Sequence, residues 1–80
     1  KDVIVYERVI EDYSIIVVIN NSFNDWENVE FETHYQDERF IDLVTEGRTF
    51  RTSSNGKIKL NIKAKEGMIL RKVRIGRDYE

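Results

Sequence analysis

The sequence predicts an all-β domain, an antiparallel sandwich or small barrel of about seven strands. Three observations lead there. Apolar and polar residues alternate with period two in several segments, most cleanly in Lys57–Lys63, "KIKLNIK". Turn-forming pairs interrupt the apolar runs at short intervals. No segment keeps the 3.6-residue apolar period that an amphipathic helix requires.

Each element follows in chain order. Residues 2–10, "DVIVYERVI", and 13–20, "YSIIVVIN", are apolar at nearly every position. An antiparallel strand with one wet face should alternate, so both faces of these two strands should be covered. One face meets the domain's own core. The other meets either a neighbouring domain or a loop of this same chain. In 28–35, "NVEFETHY", Val29, Phe31, Thr33 and Tyr35 point one way and Asn28, Glu30, Glu32 and His34 the other. Segments 38–44 "ERFIDLV", 49–52 "TFRT" with Arg48 before it, and 68–75 "MILRKVRI" are shorter candidates rich in β-branched and aromatic residues. In "KIKLNIK", Ile58, Leu60 and Ile62 should face the core. Turns are expected at Glu11-Asp12, Asn20–Ser22, Gln36-Asp37, Glu46-Gly47, Asn55-Gly56 and Glu66-Gly67. Asn55-Gly56 is the strongest signal, because both residue types tolerate the positive φ of a tight hairpin.

Eighty residues make one domain, 1–80. A domain of this size buries only about 60% of its unfolded surface, so its stability margin is thin. There is no cysteine and only one histidine, which removes disulfides, thiol catalysis, and thiolate or histidine-rich metal sites. No apolar run is long enough to span a bilayer. No signal peptide is visible, and the chain opens without methionine inside a strand-like run, as a piece excised from a longer protein would. Lack of cysteine fits a cytoplasmic protein and is compatible with a secreted bacterial one.

Net charge is −2, but residues 1–47 carry −9 and residues 48–80 carry +7. Oppositely charged neighbouring strands account for this asymmetry. The basic half lacks the interleaved aromatics of a nucleic-acid groove, so neither nucleic acid nor membrane is expected as a partner.

Candidate chemistry is sparse. Glu30 and Glu32 share one face of a strand, but that face reads as solvated, and a catalytic pair needs environments that pull two pKa values apart. His34 continues the same wet face. No phosphate loop, nucleophile elbow or metal-ligand spacing occurs, so no cofactor or metal is expected. Asn20-Asn21-Ser22 has the form of an N-glycosylation acceptor. The stretch Asn20–Asn28, "NNSFNDWEN", holds the single tryptophan. Trp26, with Phe23, Tyr35 and the asparagines, has the composition of a sugar platform, where rings stack on pyranose faces and amides or carboxylates take hydroxyls. The alternative is that Trp26 packs over the edge of the core, as large aromatics usually do.

The segments "VIVYERV" (3–9) and "IIVVINNS" (15–22), then "FIDLVTEGRTF" (40–50) and "GMILRK" (67–72), resemble in order the C-terminal domain of α-amylase family glycoside hydrolases. The likeness is to the maltogenic amylase, neopullulanase and oligo-1,6-glucosidase branches. It covers nearly the whole chain through short pieces. The chain departs from the family pattern at Glu46, between Thr45 and Gly47, and at Lys63–Glu66, "KAKE", where a proline and a tyrosine are usual.

The resemblance implies an all-β antiparallel β-sandwich of Greek-key type, with about seven or eight strands. It implies a non-catalytic domain packed against the catalytic (β/α)8 barrel of the same parent chain, which acts on α-glucan. The family's catalytic carboxylates lie in the barrel, and none maps onto this sequence. It also places Asn20–Ser22 at a strand end, which favours a turn role for these residues and an inward or barrel-facing Trp26 and Phe23.

Overall fold

The computed structural model describes residues 2–11, 13–45 and 47–73. Among these the fold is all-β, with seven strands: β1 (Val3–Ile10), β2 (Tyr13–Asn20), β3 (Trp26–Glu32), β4 (Arg39–Asp42), β5 (Thr49–Arg51), β6 (Lys57–Ile62) and β7 (Gly67–Lys72). Every pairing is antiparallel. Five strands form one sheet in the order β1-β2-β7-β4-β5, and β3 and β6 form a second sheet. Among the described residues no helix is long and apolar enough to cross a membrane.

The core lies where the two sheets face each other. Ile16 and Val18 of β2, Phe40 of β4, and Met68 and Leu70 of β7 meet Ile58, Leu60 and Ile62 of β6. All are buried, and the alternation read from the β6 segment holds residue by residue. Val29, Phe31 and Tyr35 pack on this cluster from the β3 side, while Glu30, Glu32 and His34 stay exposed. The charge asymmetry also has its expected structural counterpart. Glu30 stands opposite Lys59 and Glu32 opposite Lys57 on the β3–β6 ladder.

Several boundaries differ from the sequence expectation: β3 starts two residues early at Trp26, β4 is limited to Arg39–Asp42, and two further differences have a local cause. β3 stops at Glu32 rather than running to residue 35. Past it, the Thr33 hydroxyl donates to the Tyr35 carbonyl (2.9 Å) and accepts from the Tyr35 N–H (3.0 Å), a local closure that competes with the ladder. The turn before β7 falls on Ala64-Lys65, with Lys65 at φ 59°, and Gly67 is the first residue of the strand. Asp12, Glu46, Arg74 and Ile75, which the sequence placed in turns or a strand, lie outside the described residues.

The connection from β5 to β6 turns at Gly56, whose φ is +79°. Its N–H bonds the Ser53 carbonyl at 2.9 Å. A Cβ there would stand 3.3 Å from the carbonyl oxygens of Thr33 and Tyr35, so both conformation and space call for glycine. Asn55 does not take positive φ, so this is not the paired positive-φ turn that Asn-Gly allows.

One charged cluster is built into the fold. The Asp42 side chain is fully covered. It accepts from Arg48 Nε (3.1 Å), Arg48 Nη2 (2.7 Å) and the Val44 N–H (3.0 Å), and Arg48 Nη2 also donates to Glu66 (2.7 Å). Burial by itself pushes the Asp42 carboxyl up. The Arg48 hydrogen bond and the N–H groups of Val44 and Thr45 outweigh it and hold the group below the ordinary aspartate value of 3.8. The hydrogen bond to Asp42 raises the Arg48 guanidinium in turn.

Candidate binding surfaces

Two surfaces stand out, and the first is the outer face of the five-stranded sheet. On β2, Ser14, Ile16, Val18 and Asn20 point into the core, so Tyr13, Ile15, Val17 and Ile19 point out. Register places Ile4 beside Ile19, Tyr6 beside Val17, Ile10 beside Tyr13, and Ile69 beside Val17 from the other flank. Leu43 joins them, its N–H bonded to the Ile69 carbonyl at 2.8 Å. Ile4, Tyr6, Ile10, Tyr13, Ile19 and Ile69 are all substantially exposed. Both faces of the first two strands carry apolar side chains, but the covering expected for the outer face is not seen among the described residues. Among the described residues no loop is seen over the outer face, and β1 is an edge strand. One row of the face is charged at its flanks, with Arg8 and Arg71 beside Ile15; large exposed apolar surface of this kind marks an interaction site more often than a bare monomer surface.

The second surface is the loop Asn21–Asp25 and the start of β3. Asn20 anchors it. Its side chain is buried and donates to the carbonyls of Asn24 (2.8 Å) and Lys63 (2.9 Å), while its Oδ1 accepts from the Ser22 N–H (3.0 Å) and hydroxyl (2.7 Å). The turn role expected for Asn20–Ser22 is what these bonds perform. The same burial removes Asn20 as a glycan acceptor in the folded chain. The Trp26 indole N–H donates to the Ser22 hydroxyl at 3.2 Å. Its ring is 41% exposed and stands outside the buried core cluster, so Trp26 is not a core anchor. Phe23 is 86% exposed and lies under the Lys65 ammonium, 4.3 Å from the ring centre, so it is not inward-facing either.

Tyr35 stands apart from both. It follows the far end of β3, edge-on to Phe40 (centroids 6.5 Å, interplanar angle 60°), with Lys72 Nζ 4.9 Å from its ring. Seven strand residues, about 20 Å of chain, separate Trp26 from that end. The three aromatics therefore do not form one platform; Tyr35 is held by core packing.

A feature the sequence did not reveal sits beside Trp26. The β3–β6 register slips between Trp26 and Val29, inserting one extra residue, and Asn28 takes φ 57°. The Asn28 N–H turns to the Asn61 side chain at 2.9 Å instead of the ladder. Asparagine tolerates this conformation better than most residues, which is the only local signal in the sequence. Next to this bulge opens a groove of about 690 Å³ lined by Asp2, Val3, Trp26, Glu27, Asn28 and Val29.

Elsewhere, Glu30 and Glu32 lie in solvent opposite lysines and do not converge on a cleft. His34 is bonded to Glu7: its N–H reaches Oε1 at 3.1 Å, and Nδ1 lies 3.0 Å from the same oxygen. Glu7 also accepts from the Ser14 hydroxyl at 2.8 Å. This contact ties β1 to the chain beyond β3. Among the described residues no group of three or more His, Asp or Glu is placed to hold a metal ion.

Comparison of the chain with protein-family models, with curated proteins and with solved structures found no match.

Proposed function

We propose that this chain is a non-catalytic accessory domain that docks against a catalytic (β/α)8 barrel in the same polypeptide, in an enzyme acting on α-glucan. In this reading the two sheets form a Greek-key sandwich: β7 returns to lie between β2 and β4, while β3 and β6 pair across the core from it. The observation that carries the docking is the apolar outer face of β1, β2 and β7. Burying it against a second apolar surface would recover roughly 25 cal/mol per Å² that the isolated domain leaves in water. The α-glucan barrel as occupant comes from the resemblance of segments 3–9, 15–22, 40–50 and 67–72. A cytoplasmic setting belongs to the same proposal.

The test starts from the gene. Its upstream sequence should encode alternating strands and helices with carboxylates at the strand ends, the pattern of a (β/α)8 enzyme. Hydrogen exchange on the full polypeptide should then show protection at Ile4, Tyr6, Ile19 and Ile69 that the separate domain lacks. An upstream region without that pattern removes the amylase reading. Equal exchange in both contexts removes the docking.

A further inference from the structure

We infer that the groove beside Trp26 is a binding site for one neutral sugar ring, with the indole face as its floor. The groove lies on the open side of the molecule, opposite to the side where β5 turns directly into β6. There β1 and β3 are both edge strands with no ladder between them. One end lies where the β1–β2 pairing finishes and the other is tied across the opening. At one end the Asn21 N–H bonds the Asp2 carbonyl at 2.7 Å. At the other, Glu7 holds His34. The groove of about 690 Å³ lies by the first of these ends, within the usual size range of small-ligand sites, roughly 300–1,000 Å³.

Trp26 is pre-oriented there. Its N–H is taken by the Ser22 hydroxyl, which in turn bonds buried Asn20. The indole therefore has no donor left to offer a ligand. What it presents is its π face, whose negative quadrupole attracts the polarised C–H groups of a pyranose. The bulge supplies the polar groups. Inserting one residue between Trp26 and Val29 brings both Glu27 and Asn28 to the groove wall, the re-aiming that bulges commonly perform beside sites. Among the described residues neither the Glu27 nor the Asp2 carboxylate has a side-chain hydrogen-bond or salt-bridge partner. Two carboxylates and an amide accept hydroxyl hydrogens, and the amide can also donate. Among the described residues no cation lines the groove and two carboxylates do, which disfavours phosphate and other anions. A ring rich in O–H donors with one apolar face meets every part of this lining.

The inference does not depend on the docking proposed above, since the groove opens at the β1/β3 seam rather than on the outer face of the five-stranded sheet. Trp26 is the single tryptophan, so intrinsic fluorescence reports on this ring; the ring also borders a second hollow with Asp25, Arg48 and Lys63, and amide shifts tell the two apart. Maltose, cellobiose and choline are titrated in parallel into the purified chain. Saturable change with a disaccharide in the millimolar range is expected, with the shifted amide resonances confined to residues 2–3 and 26–29. Maltose against cellobiose then reads the linkage preference. Glu27→Gln should weaken binding by about tenfold, equivalent to about 1.4 kcal/mol, with the fold unchanged by circular dichroism. Trp26→Phe, followed by amide shifts, should retain measurable binding, and Trp26→Ala should lose it. No response to either disaccharide at millimolar concentration, binding unaltered in Trp26→Ala, or a response to choline in place of sugar would each overturn the assignment. Failure here would leave the hydrogen-exchange result on the outer face untouched.

Discussion

The two outward-facing surfaces of this molecule are made of the same kind of strand and could hardly differ more. The face of β3 and β6 presents Asn28, Glu30, Glu32, Lys59, Asn61 and Lys63, with opposite charges in register. The face of β1, β2 and β7 presents mainly isoleucines, valines and tyrosines, with Arg8 and Arg71 on either side of Ile15. The core between the sheets is continuous, so folding alone does not require the difference. A sheet that must be wet on one side alternates, as β6 does. A sheet that is apolar on both sides leaves apolar side chains in water, and this is the surface that the proposed docking would cover.

The largest predicted effect tests whether the two sheets really share one core. Leu60→Ala under the wet sheet and Leu70→Ala under the apolar one should each destabilise the domain by about 2–5 kcal/mol in urea unfolding, the usual cost of emptying a buried leucine. Similar values mean that the contrast is confined to the outer faces. A cost below about 1 kcal/mol at Leu60 would mean that β3–β6 is only loosely laid on the five-stranded sheet.

Next in size is the ionic cluster, which sets a covered carboxylate against the exposed ones of β3. Asp42→Asn should cost about 1.5–3 kcal/mol, the range for hydrogen bonds to charged groups, and less if Arg48 falls back fully on Glu66. The folded-state pKa of Asp42 is depressed, so its contribution is fully present above the unfolded value near 3.8 and is lost as pH falls through the lower folded value. Stability of the native chain should therefore drop more steeply below pH 3.8 than that of Asp42→Asn. Parallel acid profiles for the two proteins would deny Asp42 this role.

Substitutions on the apolar outer face should change folding little. Ile19→Ser and Tyr6→Ser are expected within about 0.5 kcal/mol of the native chain. They should sharply reduce binding of an apolar dye and any self-association at high protein concentration. A stability loss comparable with Leu70→Ala would show that these side chains are covered within the domain and would dissolve the contrast between the faces.

How much of this was legible in the sequence depends on how local the cause was. The alternation of β6, the wet face of Glu30, Glu32 and His34, and the double apolarity of β1 and β2 follow from period two, a property of each strand by itself. The place of β7 between β2 and β4 was not legible, because pairing between strands distant in sequence leaves no local mark. Trp26 shows the limit most plainly. Its size argued for the core, yet the ring is set by the buried Asn20 and by a bulge whose only trace is an asparagine at position 28. Tyr35 shows the converse: grouped with Trp26 by composition, it is separated from it by the length of a strand.

The smallest prediction concerns the charges on the wet face. Glu30 stands directly opposite Lys59, and cross-strand pairs contribute roughly 0.2–1 kcal/mol, with like charges unfavourable. Glu30→Lys should therefore lower stability by about 0.5 kcal/mol, and adding Lys59→Glu to it should recover most of the loss. Both residues are exposed, so the difference between the single and double variants should fade toward zero in about 1 M salt, where screening acts within about 3 Å. If instead the single variant costs nothing at low salt, pairing of neighbouring strands does not explain why the first 47 residues are acidic and the rest basic. The charge asymmetry would then have to act at longer range, on whatever the domain meets.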